Sequence, residues 1–169
     1  MKNWILTLFT VNPLLERMTT LIDERVESLA LSPIGNTLDK MENIISLNDK
    51  KVALINLRVM YESICKKLDE DEFALVKGCA FGKSVRDMSG YRSASTCYRK
   101  LNKAIKKAEA ILLGLGYDEQ KMDYYRQFPY IRAKLSAIKR RNKEGVEPIR
   151  NAELQASSAF AQYICAQSP

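Results

Sequence analysis

Residues 68–89 read LDEDEFALVKGCAFGKSVRDMS, and the fold class turns on this stretch. Its middle, KGCAFGKS (77–84), looks like a phosphate-binding loop. Such a loop needs G-x-x-x-x-G-K-[ST] between a β-strand and a long helix, so that its backbone N–H groups wrap the phosphates. Here Gly78 and Gly82 enclose three residues, one too few, and the nest of N–H groups is a geometric object that composition cannot replace. The residues in front are helical in pattern. Asp69 stands as an N-cap with Glu72 at the third helical position, the arrangement of a capping box, and acidic residues fill the first turn, where the helix dipole favours them. Behind the loop, Ser84 caps a short helix that ends at Gly90. No convincing strand ending in Asp offers a Walker B partner. Gly82 therefore reads as the turn between two short helices, and no nucleotide is expected.

Working outward, the 169 residues carry 46% hydrophobic and 28% charged side chains, with only seven Gly and five Pro. That supports a real core and gives too little punctuation for many short strands, so the class is all-α. There is no His, and the four cysteines (Cys65, Cys79, Cys97, Cys165) are widely spaced with no C-x-x-C pair. Zinc sites need clustered ligands, and nucleophile–base pairs usually need His. No metal, no cofactor, no catalytic residue and no enzyme activity are expected, and the cysteines read as reduced apolar residues of a cytoplasmic protein. The apolar run in MKNWILTLFTVNP is about eight residues, far below the roughly 20 that span a membrane. It reads as a cap of the core or an edge docked on the helices, with no membrane partner and no targeting signal.

Pro13 opens a first helix whose apolar residues recur at helical spacing to about residue 30. Ser32-Pro33-Ile34-Gly35-Asn36 breaks it, and Thr37 reads as the N-cap of a second helix running to about 68. That helix shows two seams: Met41, Ile45, Val52, Ile55 and Val59, and beside it Ile44, Leu47, Leu54, Tyr61, Cys65 and Leu68. A stripe so wide predicts packing on more than one neighbour, and the short connection predicts an antiparallel helical hairpin over 1–68.

The formal charge of +7 is unevenly placed. Residues 83–143 hold sixteen Lys/Arg against five Asp/Glu, a balance of +11, while 1–82 and 144–169 are each slightly acidic. A field of that strength attracts a polyanion. Its centre is a helix of about 93–111. At 100° per residue, Cys97, Leu101, Ala104, Ile105 and Ala108 share one face, with Arg99, Lys103 and Lys106 opposite and Thr96 and Lys107 at the margin. Short helix, tight turn, Ser/Thr-rich start and basic face form the order of a helix-turn-helix, expected over 69–116. Its second helix puts N-terminal side chains on base edges in the major groove of double-stranded DNA. Arg92, Ser93, Ser95, Thr96 and Arg99 take that place, and Arg bonds guanine bidentately. Lys100, Lys103, Lys106 and Lys107 lie further along as phosphate contacts that position the helix.

These residues resemble the phage and prophage family of sigma-factor region-four-like regulators, akin to the ArpU and RinA late-gene activators. The resemblance covers roughly 14–113 and is most specific at Gly82-Lys83-Ser84, Gly90-Tyr91, Ser95 to Leu101 and Ala104. The chain departs from the family where Ser89 runs straight into Gly90-Tyr91, a shorter turn than the pattern. The resemblance implies a DNA-binding transcription regulator in a bacterial cell or infected host, with RNA polymerase as a candidate partner. Self-association is left open.

Residues 117–169 lie outside the resemblance. A helix is expected from Asp118, apolar at Tyr125, Phe128, Leu135 and Ile138 and bent at Pro129. Arg132, Lys134, Lys139, Arg140, Arg141 and Lys143, six basic residues in twelve, offer a second phosphate-binding element, and 151–165 reads as a mildly apolar helix. Two other readings compete: a helical protein-interaction or antiterminator-like factor that binds RNA polymerase without reading DNA sequence, and an RNA-binding factor. RNA recognition leans on exposed aromatic platforms, and the basic face has only Tyr98 at its edge.

Overall fold

The computed structural model describes residues 1–89 and 93–144, without the side chains of Arg86, Ser89, Lys143 and Glu144. The expected helix over 151–165 and Arg92 therefore lie outside the described residues. Within them the chain is all-helical, with no strand: α1 (Lys2–Leu31), α2 (Thr37–Cys65), α3 (Glu70–Ala80), α4 (Val85–Ser89), α5 (Ala94–Gly114), α6 (Glu119–Asp123), a 3-10 turn (Tyr124–Gln127) and α7 (Pro129–Glu144).

The first helix differs most from the sequence reading. It starts at Lys2 and carries Pro13 in its interior, and the N-terminal run is neither a cap nor an edge. Eight consecutive residues, Trp4 to Val11, are buried. A helix buried on every side must be surrounded, and α1 does pack on α2, α3, α5 and α7. Its two polar residues there are satisfied locally: Thr7 Oγ1 donates to the Asn3 carbonyl (2.7 Å) and Thr10 Oγ1 to that of Thr7 (2.8 Å), so neither hydroxyl is stranded in apolar surroundings. Phe9 meets Tyr61 of α2 edge-on at 5.1 Å and Phe73 of α3 at 5.6 Å. Each such large side chain taken from water contributes about 1.5–3 kcal/mol.

Asp23 on α1 pairs with Lys51 on α2 at 2.6 Å, which together with Phe9–Tyr61 makes the two helices antiparallel. The N-cap of α2 is Asn36 and not Thr37: its side chain accepts the Leu38 N–H, and Thr37 is already the first helical residue. The inward face of α2 is Leu47, Leu54, Leu57, Met60 and Ile64. The seam of Met41, Ile45, Val52, Ile55 and Val59 is not core: all five are exposed. The inner stripe is the one that includes Leu47 and Leu54, and no other described element covers the outer one.

Asp69 and Glu72 form the capping box of α3 with both reciprocal bonds, 2.7 and 3.1 Å. The helix then ends on Gly82, whose φ of +84° only glycine adopts without strain. The Lys83 N–H reaches back to the Gly78 carbonyl (2.9 Å) and that of Gly82 to Cys79 (3.1 Å), a Schellman closure. Gly78 has a different reason. A Cβ there would lie 2.0 Å from Met88 Sδ, because α4 crosses α3 at this point. Ser84 accepts the Asp87 N–H at 3.1 Å to start α4. Every element of KGCAFGKS is thus used in joining two helices.

Pro129 opens α7 after the 3-10 turn and does not bend a longer helix; proline suits a first helical position, where its missing N–H is not needed. Met122, Tyr125, Phe128, Ile131, Leu135 and Ile138 carry this segment into the same contiguous core as Trp4 and Leu112. The core therefore draws on 1–68, 69–116 and the described part of 117–169 together.

Candidate nucleic-acid interface

α5 begins at Ser93, whose Oγ accepts the Thr96 N–H at 3.2 Å and lies 2.8 Å from Thr96 Oγ1. The helix buries Cys97, Leu101, Ala104, Ile105, Ala108 and Leu112 against α1, α2, α3 and α4. That fixes the opposite face toward solvent, where Ser95, Arg99, Lys103 and Lys106 are all exposed. Residues 88–108 contain no Asp or Glu, and the first acidic residue of α5 is Glu109, three residues beyond Lys106. Arg99 sits in the second turn, and Lys103 and Lys106 follow about one and two turns later at 3.6 residues per turn.

The structure separates the basic residues of α5 into two sets. Lys107 Nζ donates to Glu72 Oε2 at 2.9 Å, and that carboxylate is buried. Lys100 Nζ donates to Asp71 Oδ2 at 2.9 Å and lies 3.6 Å from Asp69 Oδ1. Both lysines are directed at the acidic start of α3. The Lys107 hydrogen bond holds Glu72 below the usual carboxylate range, against the burial that pushes it up. For Asp69 the backbone bond from Glu72 lowers the pKa, helped by Lys100. Arg99, Lys103 and Lys106 form the outward set.

The second basic group divides in the same way. Arg132, Lys139 and Arg140 are exposed. Arg141 instead donates from Nη1 to the Ala80 carbonyl (3.1 Å) and from Nη2 to that of Cys79 (2.8 Å), satisfying the last turn of α3 from α7. Lys134, expected from sequence to belong to the same phosphate-binding run, is instead buried with Nζ 5.4 Å from the Tyr130 ring centroid. Helical spacing sets Arg140 opposite the buried face of Ile131, Leu135 and Ile138 and Arg141 at its margin; only the position of the α3 C-terminus gives Arg141 its partners.

An open groove of about 810 Å³ runs between α3, α4 and the start of α5, lined by Phe73, Lys77, Phe81, Met88 and Cys97 among others. Among the described residues no cluster of His, Cys, Asp or Glu is placed to hold a metal ion, and no helix is long and apolar enough to cross a membrane. Cys65, Cys79 and Cys97 are free thiols, and burial pushes Cys65 and Cys79 above the usual thiol range. No family model matches this chain, and neither a curated protein nor a solved structure does.

Proposed function

We propose that this chain is a double-stranded DNA-binding transcription regulator of phage or prophage type, acting in the bacterial cytoplasm, that reads sequence with α5 and performs no chemistry. The observation that carries the reading is the outward set on α5. Arg99, Lys103 and Lys106 share an exposed face with no Asp or Glu on the helix before Glu109, while the opposite face is locked into the core. In a helix-turn-helix α4 would cross the backbone and α5 would enter the major groove, with Ser95, Thr96 and Arg99 nearest the bases. Lys103 and Lys106 would meet phosphates on the groove walls. Arg132, Lys139 and Arg140 supply further positive charge from α7.

The competing reading is a factor that binds RNA polymerase without specific DNA readout, and it draws on the open groove around Phe73, Phe81 and Met88. Selection of bound sequences from random duplex DNA, followed by affinity against salt, separates the two. The proposal expects an enriched motif together with a steep salt dependence. Retention of all sequences equally, or of none, rejects specific readout.

A further inference from the structure

The outer face of α2 is an apolar seam that the described chain leaves uncovered. Leu38, Met41, Ile45, Val52, Ile55 and Val59 are each between 44% and 65% exposed. Their positions repeat every seven residues: Leu38, Ile45, Val52 and Val59 form one register, and Met41, Asn48 and Ile55 the other, spaced three and four. This is the a/d pattern of a coiled coil, and a period of seven on a straight helix serves a partner helix and little else. The core-facing residues of α2, centred on Leu57 and Ile64, lie on the opposite side, so a helix can approach the seam without displacing α1.

Size, polarity and charge identify the occupant. With side-chain surfaces of about 150–190 Å² from Val to Met, these exposures leave roughly 550 Å² of apolar surface per chain, at the upper end of the largest patch a typical monomer keeps open. Two copies face to face would bury about 1,100 Å², past the ~1,000 Å² a specific interface needs. The a positions are β-branched at Ile45, Val52 and Val59, one half of the pattern that favours two parallel strands, and the d positions are Met41, Asn48 and Ile55. The single polar member, Asn48, faces its own copy in a parallel, in-register pair, and two amides bond each other. Antiparallel pairing would set Asn48 against an aliphatic a residue and leave a buried amide unsatisfied. The flanks agree in sign: Glu42 and Asp49 hold the e edge, and Lys51 and Arg58 the g edge, where within the chain Lys51 pairs with Asp23 and Arg58 with Glu62. Parallel pairing lays the acidic edge along the partner's basic edge, whereas antiparallel pairing lays like against like.

We propose that the exposed face of α2 pairs with the same face of a second copy of this chain as a parallel, in-register two-stranded coiled coil centred on Asn48. The inference is independent of what α5 binds. It is tested on the full chain by sedimentation over a dilution series, with helical circular dichroism as the folding control. The wild-type chain should sediment as two chains, and Ile45→Asp or Val52→Glu, placed at exposed positions, should give the single-chain mass with unchanged helicity. Orientation is tested in a chain whose four cysteines are replaced. Asn48→Cys should then cross-link its own dimer on oxidation. A single-chain mass for the wild type at every concentration overturns the proposal, and so does a dimer that survives both charge variants. A dimer in which the Asn48→Cys chain fails to cross-link, while a mixture of Ile45→Cys and Ile55→Cys chains does, overturns the parallel arrangement.

Discussion

Gly78 and Met88 couple two helices through one contact. Alanine in place of a helical glycine gains about 0.8–1 kcal/mol of helix propensity, but here the new Cβ would start 2.0 Å from Met88 Sδ. Relieving that overlap costs about 1–3 kcal/mol. Gly78→Ala should therefore destabilise the wild-type chain and stabilise the Met88→Ala background, a reversal of sign readable in urea unfolding of the four-protein cycle. Equal effects in both backgrounds would show that α4 does not sit on Gly78. Glu72 carries a second residue-scale consequence. Its folded pKa lies below the ordinary value of 4.5, so its contribution is complete above that value and is lost as pH falls through the lower folded one. Glu72→Ala should cost about 1–2 kcal/mol at neutral pH, from the capping bond and the stranded Lys107 partner. The gap between wild type and Glu72→Gln should narrow as pH drops below 4.5, and a gap independent of pH would remove the charge argument. The capping box itself was legible in the sequence because its spacing is local. The overlap at Gly78 was not, since it depends on how α4 crosses.

At the level of the element, α5 shows how far periodicity reaches. The 100° rotation places Cys97, Leu101, Ala104, Ile105 and Ala108 inward, and the structure buries all five. The same rotation sets Arg99, Lys103 and Lys106 opposite the core and leaves Lys107 at the margin; what it could not supply was the partner, since only the position of α3 turns Lys100 and Lys107 toward Asp71 and Glu72. The same blindness put the Met41 to Val59 seam in the core: a stripe specifies a partner without saying whether it belongs to the same chain. Two kinds of lysine imply two kinds of variant. Lys103→Ala and Lys106→Ala should leave stability within about 0.5 kcal/mol and lower the salt slope of DNA binding by ~0.9 each. Arg99→Ala should cost about 1–3 kcal/mol on the preferred site and flatten discrimination there. Lys107→Ala should lower the unfolding midpoint by exposing the buried Glu72 charge, with little change in salt slope. Equal loss for Arg99→Ala and Lys103→Ala on every duplex would reduce α5 to an electrostatic surface. Arg141→Ala belongs with Lys107: the Cys79 and Ala80 carbonyls lose their donor, and thermal unfolding should shift down while binding to random duplex stays near wild type.

Across the whole molecule, the decisive element is the one whose sequence carries no amphipathic pattern. A surface helix advertises itself by a stripe, but Trp4 to Val11 is buried all round, and an all-apolar run of that length gives no period to read. Because α1 touches α2, α3, α5 and α7, the core is continuous from Trp4 to Ile138, and no segment can open without disturbing it. That geometry predicts a single cooperative transition. Trp4, the only tryptophan and fully buried, reports from the centre, while far-ultraviolet circular dichroism reports the helices as a whole. The two should trace the same urea curve. Ile5→Ala, at a fully buried position, should cost about 2–5 kcal/mol and move both probes together. Val26→Ala lies beyond Ile22, the last buried residue of α1, where the hairpin leaves the core, and should cost about 1 kcal/mol or less. If the fluorescence transition separates from the helical one, or if Ile5→Ala moves only fluorescence, then 69–116 folds without α1. α5 would then stand on a domain of its own and not on a shared core.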